Sequence, residues 1–363
     1  MYLHERKNWW NFNYDRDRIM SKLADVRNRQ GLILGRMLSL GFDFQEEAAL
    51  ATMSLELVSS SKIEGENLNI NEVRSSIARK LGIETAGMVS SSRYVEGIVE
   101  MLLDATQRYK EPLTAERLFG WHNTLFPTGM SGLYRIEVGK YRTGKMQVVS
   151  GPMGREKVHY EAPEPERVPA EMKRFLEWFD GESETDPVIK AAVAHLWFVT
   201  IHPFDDGNGR IARALTDMLM ARSDNSGKRF YSMSNEIKLL SKEYYDVLEK
   251  TQKGDGDITE WILWFLDCFG KALDSTSGTL ACVLKKSEYW NYFSDVEINE
   301  RQRKLLNMQF DGFFGKLTTS KWAKIAKCSQ DTALSDINDL ISKNMLVKNA
   351  GGGRSTSYSP VEI

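Results

Sequence analysis

The residues best suited to chemistry lie in one stretch of twelve, from His202 to Arg213, which begins His-Pro-Phe-Asp-Asp-Gly-Asn-Gly-Arg. An apolar segment at 191–201 precedes it, and a helical pattern begins near Arg210. Glycines at 207 and 209 allow successive backbone N–H groups to turn toward one anion. The following helix adds its free N–H groups and the positive end of its dipole. A polar loop of this kind between two apolar helices predicts a site for a bound polyphosphate.

Each charged or titratable side chain of this stretch has a chemical role in such a site. Arg210 and Arg213 are three positions apart, so both project from one side of the first helical turn and can contact phosphate oxygens. Asp206 can hold Mg²⁺, which prefers one or two carboxylates together with substrate phosphates. His202 is placed at the loop entrance to take a proton from an attacking hydroxyl. The stretch lacks a Gly-Lys-Ser/Thr ending and a preceding strand, which excludes a P-loop and a dinucleotide fingerprint.

The stretch resembles the signature of the Fic family, His-Pro-Phe-x-Asp/Glu-Gly-Asn-Gly/Lys-Arg with a second arginine three residues later, and every specified position is filled. The resemblance implies a mainly α-helical Fic core that transfers AMP from ATP to a protein hydroxyl. It gives His202 the role of the base, and it gives Asp206 the Mg²⁺ ion that accompanies the co-substrate ATP. It places the phosphates on Gly207, Asn208, Gly209, Arg210 and Arg213.

A second motif, Ser60-x-x-x-Glu64-Gly65, closes a predicted helix at about 45–65, where Gly65 is a natural helix stop. A carboxylate is unfavourable beside the negative end of a helix dipole, which favours a cationic partner elsewhere in the chain. From the residues alone, a solvated glutamate at a frayed helix end is the more ordinary interpretation. The resemblance reverses it, because this spacing is the inhibitory motif of autoinhibited Fic proteins. It implies that Glu64 pairs with Arg213 and blocks productive ATP placement.

A β-branched run that ends near Ser150 and a second run at 157–160 are flanked by turn residues, which predicts a β-hairpin in an otherwise helical chain. By itself such a hairpin is an incidental loop. The resemblance makes it the flap over the active site, on which an unknown target protein would add as an edge strand. The nucleotide contacts that the resemblance adds are Val148, Val149, Ser150, Gly151, Tyr244, Tyr245 and Gln252. Without the resemblance, an aromatic pair on a helix such as Tyr244–Tyr245 is typical of a core.

The composition is that of an ordinary soluble globular chain, with 363 residues, 42% hydrophobic and 27% charged. The net charge of −2 gives no electrostatic reason to expect nucleic acid or an anionic membrane as partner. Cys268, Cys282 and Cys328 lie far apart, which argues against a disulfide framework or a zinc site. The apolar runs at 191–201 and 258–269 are too short to span a bilayer. We therefore expect a cytoplasmic protein without a membrane span.

The helical patterns divide the chain into four parts. They are an N-terminal helical domain with the inhibitory helix at 1–100, a Fic catalytic core at 101–273, a linker helix at 274–297 and a winged-helix-like domain at 298–363. Three short helices and a hairpin around Gly351–Arg354 give this tail the plan of a winged helix-turn-helix. Its would-be recognition helix carries three aspartates, so it suits DNA phosphates poorly and a protein contact fits at least as well.

The sequence favours an autoinhibited protein adenylyltransferase and leaves two alternatives open. The same residues serve the removal of AMP from a modified target, with Glu64 positioning water. A transcriptional regulator that acts through the tail is the other alternative. The target and its modified Ser, Thr or Tyr, the release of inhibition and the oligomeric state, including a possible homodimer, stay open at this stage.

Overall fold

The computed structural model describes residues 1–83, 87–151, 155, 157–182, 184–279, 281–310, 316–349 and 356–363. Within these ranges the chain is mainly α-helical, with three small antiparallel sheets, which confirms the predicted fold class. It divides into two compact units. The first comprises Met1–Ser39 and Ala49–Thr276, and the second comprises Leu40–Ala48 and Ser277–Ile363. No helix in the described ranges is both long enough and apolar enough to cross a membrane.

Among the described residues, eleven α-helices, numbered in chain order, begin between Arg16 and Thr259. They are α1 Arg16–Leu38, α2 Phe42–Ile63, α3 Ile70–Leu81, α4 Arg93–Gln107, α5 Ala115–Leu125, α6 Val168–Asp180, α7 Pro187–Ile201, α8 Asn208–Asp224, α9 Met233–Leu239, α10 Ser241–Gln252 and α11 Thr259–Thr279. Side-chain caps fix where several helices begin. Ser92 before α4 and Thr114 before α5 each accept a hydrogen bond from the backbone N–H three residues later. Thr114 is the cap that the sequence predicts for α5.

Helices α7 and α8 form the centre of the first unit. Every residue of α7 from Ala191 to Ile201 is buried, and so is every residue of α8 from Ile211 to Ala221. A helix that is apolar on all sides is stable only when neighbours surround it, and each fully buried Leu or Phe contributes about 1.5–3 kcal/mol. The short loop at 202–207 joins these two helices. The candidate site therefore stands between two fully buried helical stretches.

Two hairpins lie between α5 and α6. The first pairs β1 Met130–Ser131 with β2 Tyr134–Arg135, and sequence patterns did not indicate it because each strand has only two residues. The second pairs β3 Gln147–Ser150 with β4 Lys157–Glu161, and its register shifts between Val148 and Val149. This second hairpin is the predicted one. Its turn at Pro152–Gly154 lies outside the described residues.

The second unit has its own apolar core, with Leu306, Trp322 and Ile337 fully buried. Its later helices and strands are α12 Ala281–Tyr292, α13 Glu300–Phe310, α14 Thr319–Ala326, α15 Gln330–Ser342, β5 Leu346–Lys348 and β6 Tyr358–Pro360. Three helices followed by a paired hairpin match the order predicted for the tail, although the turn at Gly351–Arg354 lies outside the described residues. In the stretch predicted as a linker helix at 274–297, the described residues are helical at 274–279 and at Ala281–Tyr292.

Candidate active site

A cavity of about 660 Å³ in the first unit gathers most of the predicted site residues. Those that line it are Glu64, Val148, Val149, Ser150, His202, Asp206, Asn208, Gly209, Arg213, Tyr244, Tyr245 and Gln252. The predicted residues outside the lining are Ser60, Gly65, Gly151, Gly207 and Arg210. The fold thus brings the end of α2, the hairpin β3–β4, the loop before α8 and helix α10 to one place.

His202 ends α7 in a left-handed backbone conformation, with φ 52°. Its Nδ1 lies 3.1 Å from the carbonyl oxygen of Val199, which can only accept, so Nδ1 carries the ring proton and Nε2 keeps its lone pair. Burial lowers the pKa of His202 below its ordinary 6.5, and the positive charge of Arg142 acts in the same direction. The ring is therefore held neutral, with Nε2 free to accept a proton.

The loop before α8 is fixed by contacts within itself and with α5. The Asn208 side chain accepts the N–H of Phe204 and donates to its carbonyl, at 3.0 and 2.8 Å. Gly207 has φ +80°, and a β-carbon there would meet the Phe126 ring at 2.9 Å, so glycine is required on both counts. Asn208 thus uses its side chain to shape the loop that the sequence assigned to the phosphates.

Asp206 lines the cavity with its carboxylate held from two sides. Ser131, in the unpredicted hairpin, donates to one carboxylate oxygen, and the N–H of Gly207 donates to the other at 2.5 Å. His122 Nε2 lies 3.1 Å from the Asp206 carbonyl, and burial lowers the pKa of His122 to about 4, so this ring is a neutral structural contact. An oriented carboxylate that faces a cavity is the kind of ligand that Mg²⁺ uses beside substrate phosphates.

Arg213 is the residue at which the two motifs meet. Its Nη2 lies 2.6 Å from Oε1 of Glu64, and its Nε donates to the Ser60 hydroxyl at 2.8 Å. The Arg213 side chain is 3% exposed and that of Glu64 is 32% exposed, so the pair closes the inner wall of the cavity. A β-carbon at Gly209 would collide with the Glu64 carboxylate. Glu64 therefore occupies the anion position at the N-terminal turn of α8.

Arg210, three residues before Arg213, does not line the cavity, although its Nη2 lies 3.9 Å from the Asp206 carboxylate that does. Its Nη1 donates to the Tyr94 hydroxyl at 2.6 Å and lies 3.2 Å from a carboxylate oxygen of Glu66. Tyr94 in turn donates to Glu66, so the three side chains form one network. Spacing alone suggested that both arginines project together, whereas each contacts a different carboxylate of the segment that follows α2.

The hairpin β3–β4 is tied to α10 by a histidine. His159 places Nδ1 2.7 Å from a carboxylate oxygen of Glu249 and Nε2 2.5 Å from the Ser150 hydroxyl, and all three residues line the cavity. Tyr160, beside it, donates from its buried hydroxyl to the carbonyl of Thr200 at 2.6 Å. These contacts hold the hairpin over the cavity from two sides.

Sequence reasoning missed several cavity residues. They include Gln147, His159, Tyr160, Asp205, Lys242, Asp246 and Glu249. Lys242, Tyr245, Asp246 and Glu249 recur at intervals of three and four, which places them on one face of α10 and was a usable signal. By contrast, Tyr244 turns its hydroxyl to His195, a neutral core histidine whose pKa burial lowers to about 3.

Comparison with known proteins shows what this stretch is similar to. Residues 112–220 match the Fic/DOC family, and residues 2–83 match a domain of unknown function, DUF4172. The Fic match covers α7, the loop at 202–207 and most of α8. Among curated relatives, the protein adenylyltransferase fic-1 of Caenorhabditis elegans is 30% identical over 172 residues, covering 44% of this chain and 30% of the relative. The protein adenylyltransferase Fic of Drosophila willistoni is 27% identical over 223 residues, 58% of this chain and 39% of the relative.

Solved structures share the fold. A Fic family protein from Desulfovibrio desulfuricans G20 aligns with a TM-score of 0.56 at 19% identity, over 94% of this chain and 96% of the other. A Fic domain containing signaling protein from Bacteroides thetaiotaomicron VPI-5482 aligns with a TM-score of 0.51 at 23% identity, over 72% of this chain and 96% of the other. The fold is that of Fic proteins, and the chain spans well under half the length of the two curated relatives.

Proposed function

We propose that the chain is a protein adenylyltransferase that moves AMP from ATP to a hydroxyl of a target protein and is held back by Glu64. The observation that carries the proposal is the 2.6 Å ion pair between Glu64 and Arg213, at a cavity that His202 also lines. The Fic domain and the relatives named protein adenylyltransferase support the class of reaction.

In the proposed reaction, a Ser, Thr or Tyr hydroxyl of the target attacks the α-phosphorus of ATP. The oxygen–phosphorus bond forms, the bond to pyrophosphate breaks, and Nε2 of His202 accepts the hydroxyl proton. Val199 holds the other ring nitrogen, which favours this assignment of the accepting atom. The hairpin β3–β4 is a two-stranded sheet, so an extended target segment can pair with its free edge beside the cavity.

Asp206 is the residue proposed to hold the Mg²⁺ that accompanies ATP, and a bound Mg²⁺ neutralises charge on the phosphate oxygens. The hydrogen bonds from Ser131 and Gly207 orient this carboxylate toward the cavity that it lines. Among the residues that the structure describes, no group of three or more ligating side chains could hold a metal by itself. That composition fits an ion that takes its remaining ligands from phosphates and water.

Inhibition follows from competition for the two arginines of α8. Nε and Nη2 of Arg213 donate to Ser60 and Glu64, so Arg213 cannot offer this pair of donors to a terminal phosphate. Arg210 is likewise engaged by Glu66 and Tyr94. ATP that enters the cavity in this state lacks its phosphate anchors, so its α-phosphorus is not presented to the target hydroxyl.

The test is incubation of labelled ATP with the Glu64→Gly protein in a cell lysate. Labelling of the chain or of a target band should rise by roughly tenfold or more over wild type. Glu64→Gln is the matched variant, because it keeps the side chain and removes the charge, and it should also raise labelling. His202→Ala in the Glu64→Gly protein should abolish it. Equally low labelling in wild type and Glu64→Gly contradicts inhibition by Glu64.

Removal of AMP is a second candidate, since Glu64 itself lines the cavity and its carboxylate could orient a water. Target labelled by the Glu64→Gly protein can be repurified and given to wild-type protein. Release of AMP that depends on Glu64 would assign removal to the wild-type chain, whereas a stable label assigns transfer alone.

A further inference from the structure

Arg142, between the two hairpins, is a buried arginine with an unusual set of partners. Its side chain donates to three backbone carbonyls: Nε to His202 at 2.7 Å, Nη1 to Gly144 at 2.8 Å and Nη2 to Pro163 at 2.5 Å. Its own backbone N–H donates to the carbonyl of Pro203 at 2.9 Å. The residue is 2% exposed. Arg142 thus holds three segments together, namely its own at 142–144, the one at Pro163 and the one at 202–203.

These carbonyls belong to two structures that must act together in the proposed reaction. Gly144 leads into β3 and Pro163 follows β4, so the guanidinium joins the two ends of the hairpin that forms the proposed flap. His202 and Pro203 begin the loop that carries the proposed base. The same guanidinium therefore contacts both the base of the flap and the backbone of the histidine.

The conformation of His202 needs such support. A residue with a β-carbon in the left-handed region is sterically disfavoured and persists only where its surroundings hold it. The carbonyl of His202 also follows the last turn of α7, where helix carbonyls lack intrahelical donors. The charged hydrogen bond from Arg142 Nε to this carbonyl, and the backbone bond to the carbonyl of Pro203, hold the two successive peptide groups that follow His202.

Arg142 also differs from the other buried arginines. Arg213 contacts Glu64, and Arg229 contacts Asp217 and Asp224. The nitrogens of Arg142 face carbonyl dipoles instead, and burial lowers the pKa of Arg142 from its ordinary value. The carboxylates of Asp205, Glu164 and Glu166 compensate this buried charge only in part, since the pKa stays lowered. The direct hydrogen bonds of the guanidinium go to backbone carbonyls, so its contacts fix the course of the backbone.

We propose that Arg142 is the positioning residue of this site, which fixes the His202 backbone and couples it to the proposed flap. The inference rests on the proposed function, because it concerns the base of that reaction. A target segment that pairs with β3–β4 contacts the hairpin directly. The guanidinium that binds both ends of this hairpin also binds the His202 carbonyl. Target docking and placement of the base are thereby linked through one side chain.

The experiment introduces Arg142→Met and Arg142→Lys into the Glu64→Gly protein. Met removes every hydrogen bond, and Lys keeps the charge but cannot span three carbonyls at once. We expect kcat for AMP transfer to fall by roughly a hundredfold in Arg142→Met, as for a small misplacement of a reacting group. The KM for ATP should stay within about twofold, since Arg142 does not line the cavity, and Arg142→Lys should be intermediate.

Arg117→Met is the matched control. Arg117 is a largely buried arginine of α5 that also holds backbone carbonyls, at Asp104, Arg108 and Glu111, away from the cavity. It should lower thermal stability but leave kcat within about twofold of the parent. A loss of kcat in Arg117→Met as large as in Arg142→Met would reduce Arg142 to a stabilising residue and overturn the proposal.

A second readout does not depend on transfer. In protein with isotope-labelled histidine and no ligand, the ring signals of His202, assigned with His202→Gln, should shift in both Arg142 variants and not in Arg117→Met. Unmoved His202 signals in folded Arg142→Lys protein overturn the proposal even if Arg142→Met does not fold. If the Glu64→Gly parent transfers no AMP, the proposed function fails, and the ring signals alone decide the role of Arg142.

Discussion

At the scale of single residues, the protonation of His202 sets the pH range of the proposed reaction. Burial and the charge of Arg142 lower its pKa, while the carboxylates of Glu64 and Asp206 and the bond to Val199 act in the opposite direction. The base works when neutral, and a lowered pKa extends the neutral form to lower pH. Removing Glu64 deletes one of the raising charges, so the shift in the Glu64→Gly protein has the same sign.

We therefore expect the acid limb of kcat/KM for ATP in the Glu64→Gly protein to have its midpoint below the ordinary histidine pKa of 6.5. A profile of AMP transfer from about pH 5 to about pH 8 measures it. The Glu64→Gln protein, which lacks the same charge, should give a similar midpoint. An acid limb centred clearly above 6.5 would contradict a buried neutral base at position 202.

Glu66 gives a second prediction at the residue scale. It pairs with Arg210 at 3.2 Å and shares the Tyr94 hydroxyl, so Glu66→Gln removes the charge that competes with phosphate for Arg210. The Glu66 side chain is 38% exposed, which limits the effect, and we expect ATP affinity to rise by roughly twofold to fivefold. Calorimetric titration of ATP into wild type, Glu66→Gln and Glu64→Gln measures it, with Glu72→Gln as control. Weaker ATP binding in Glu66→Gln would instead make Glu66 a support for the site.

Residues of the site differ in how far the sequence reveals them. The residues from His202 to Arg213 can be recognised from the sequence, because a histidine, an aspartate and a glycine turn at the start of a helix are contiguous in one stretch. Arg142 and Glu66 act through contacts with segments 60 and 144 positions away. No local pattern separates an arginine that holds carbonyls from a solvated one. For that reason the sequence indicates the chemistry of the site but not its supports.

At the scale of elements, hydrophobic periodicity and caps were sufficient for the long helices. Helices α7 and α8 lie where the apolar segment at 191–201 and the pattern near Arg210 place them, and Thr114, Thr318 and Ser329 cap α5, α14 and α15. The hairpin β1–β2 was missed, because strands of two residues leave no alternation to detect. It nevertheless supplies Ser131 to the Asp206 carboxylate, so a short and irregular element fixes a proposed metal ligand.

At the scale of the whole molecule, the tail poses the question of DNA binding. Two of the three aspartates of α15 do not face outward as unpaired charges. Asp336 is buried and accepts from Arg301 and Asn299, while Asp339 accepts from Gln302 and Lys343. The charge argument against DNA is thus weaker at these two positions than the sequence suggested, since each has a partner within its own unit.

The solvent-facing first turn of α15 still argues against sequence reading. From Gln330 to Leu334 it offers one acid and no arginine or lysine, and Leu334 is 43% exposed. A helix that enters the major groove needs donors for phosphates and base edges at this position, whereas an exposed leucine suits a protein surface. We therefore expect no sequence-selective shift of promoter fragments by the full chain, even at low salt.

The matched variant for this measurement is Asp331→Lys combined with Leu334→Lys, which places two cations on the same turn. It should bind DNA without sequence preference and lose that binding as salt rises, because each phosphate contact releases counterions. Binding by this variant is the positive control, because it shows that the assay detects a cationic α15 when the wild-type chain does not bind. A wild-type shift that prefers particular promoters and weakens with salt would contradict the expectation. The chain would then couple a proposed AMP-transfer site in one unit with DNA reading in the other.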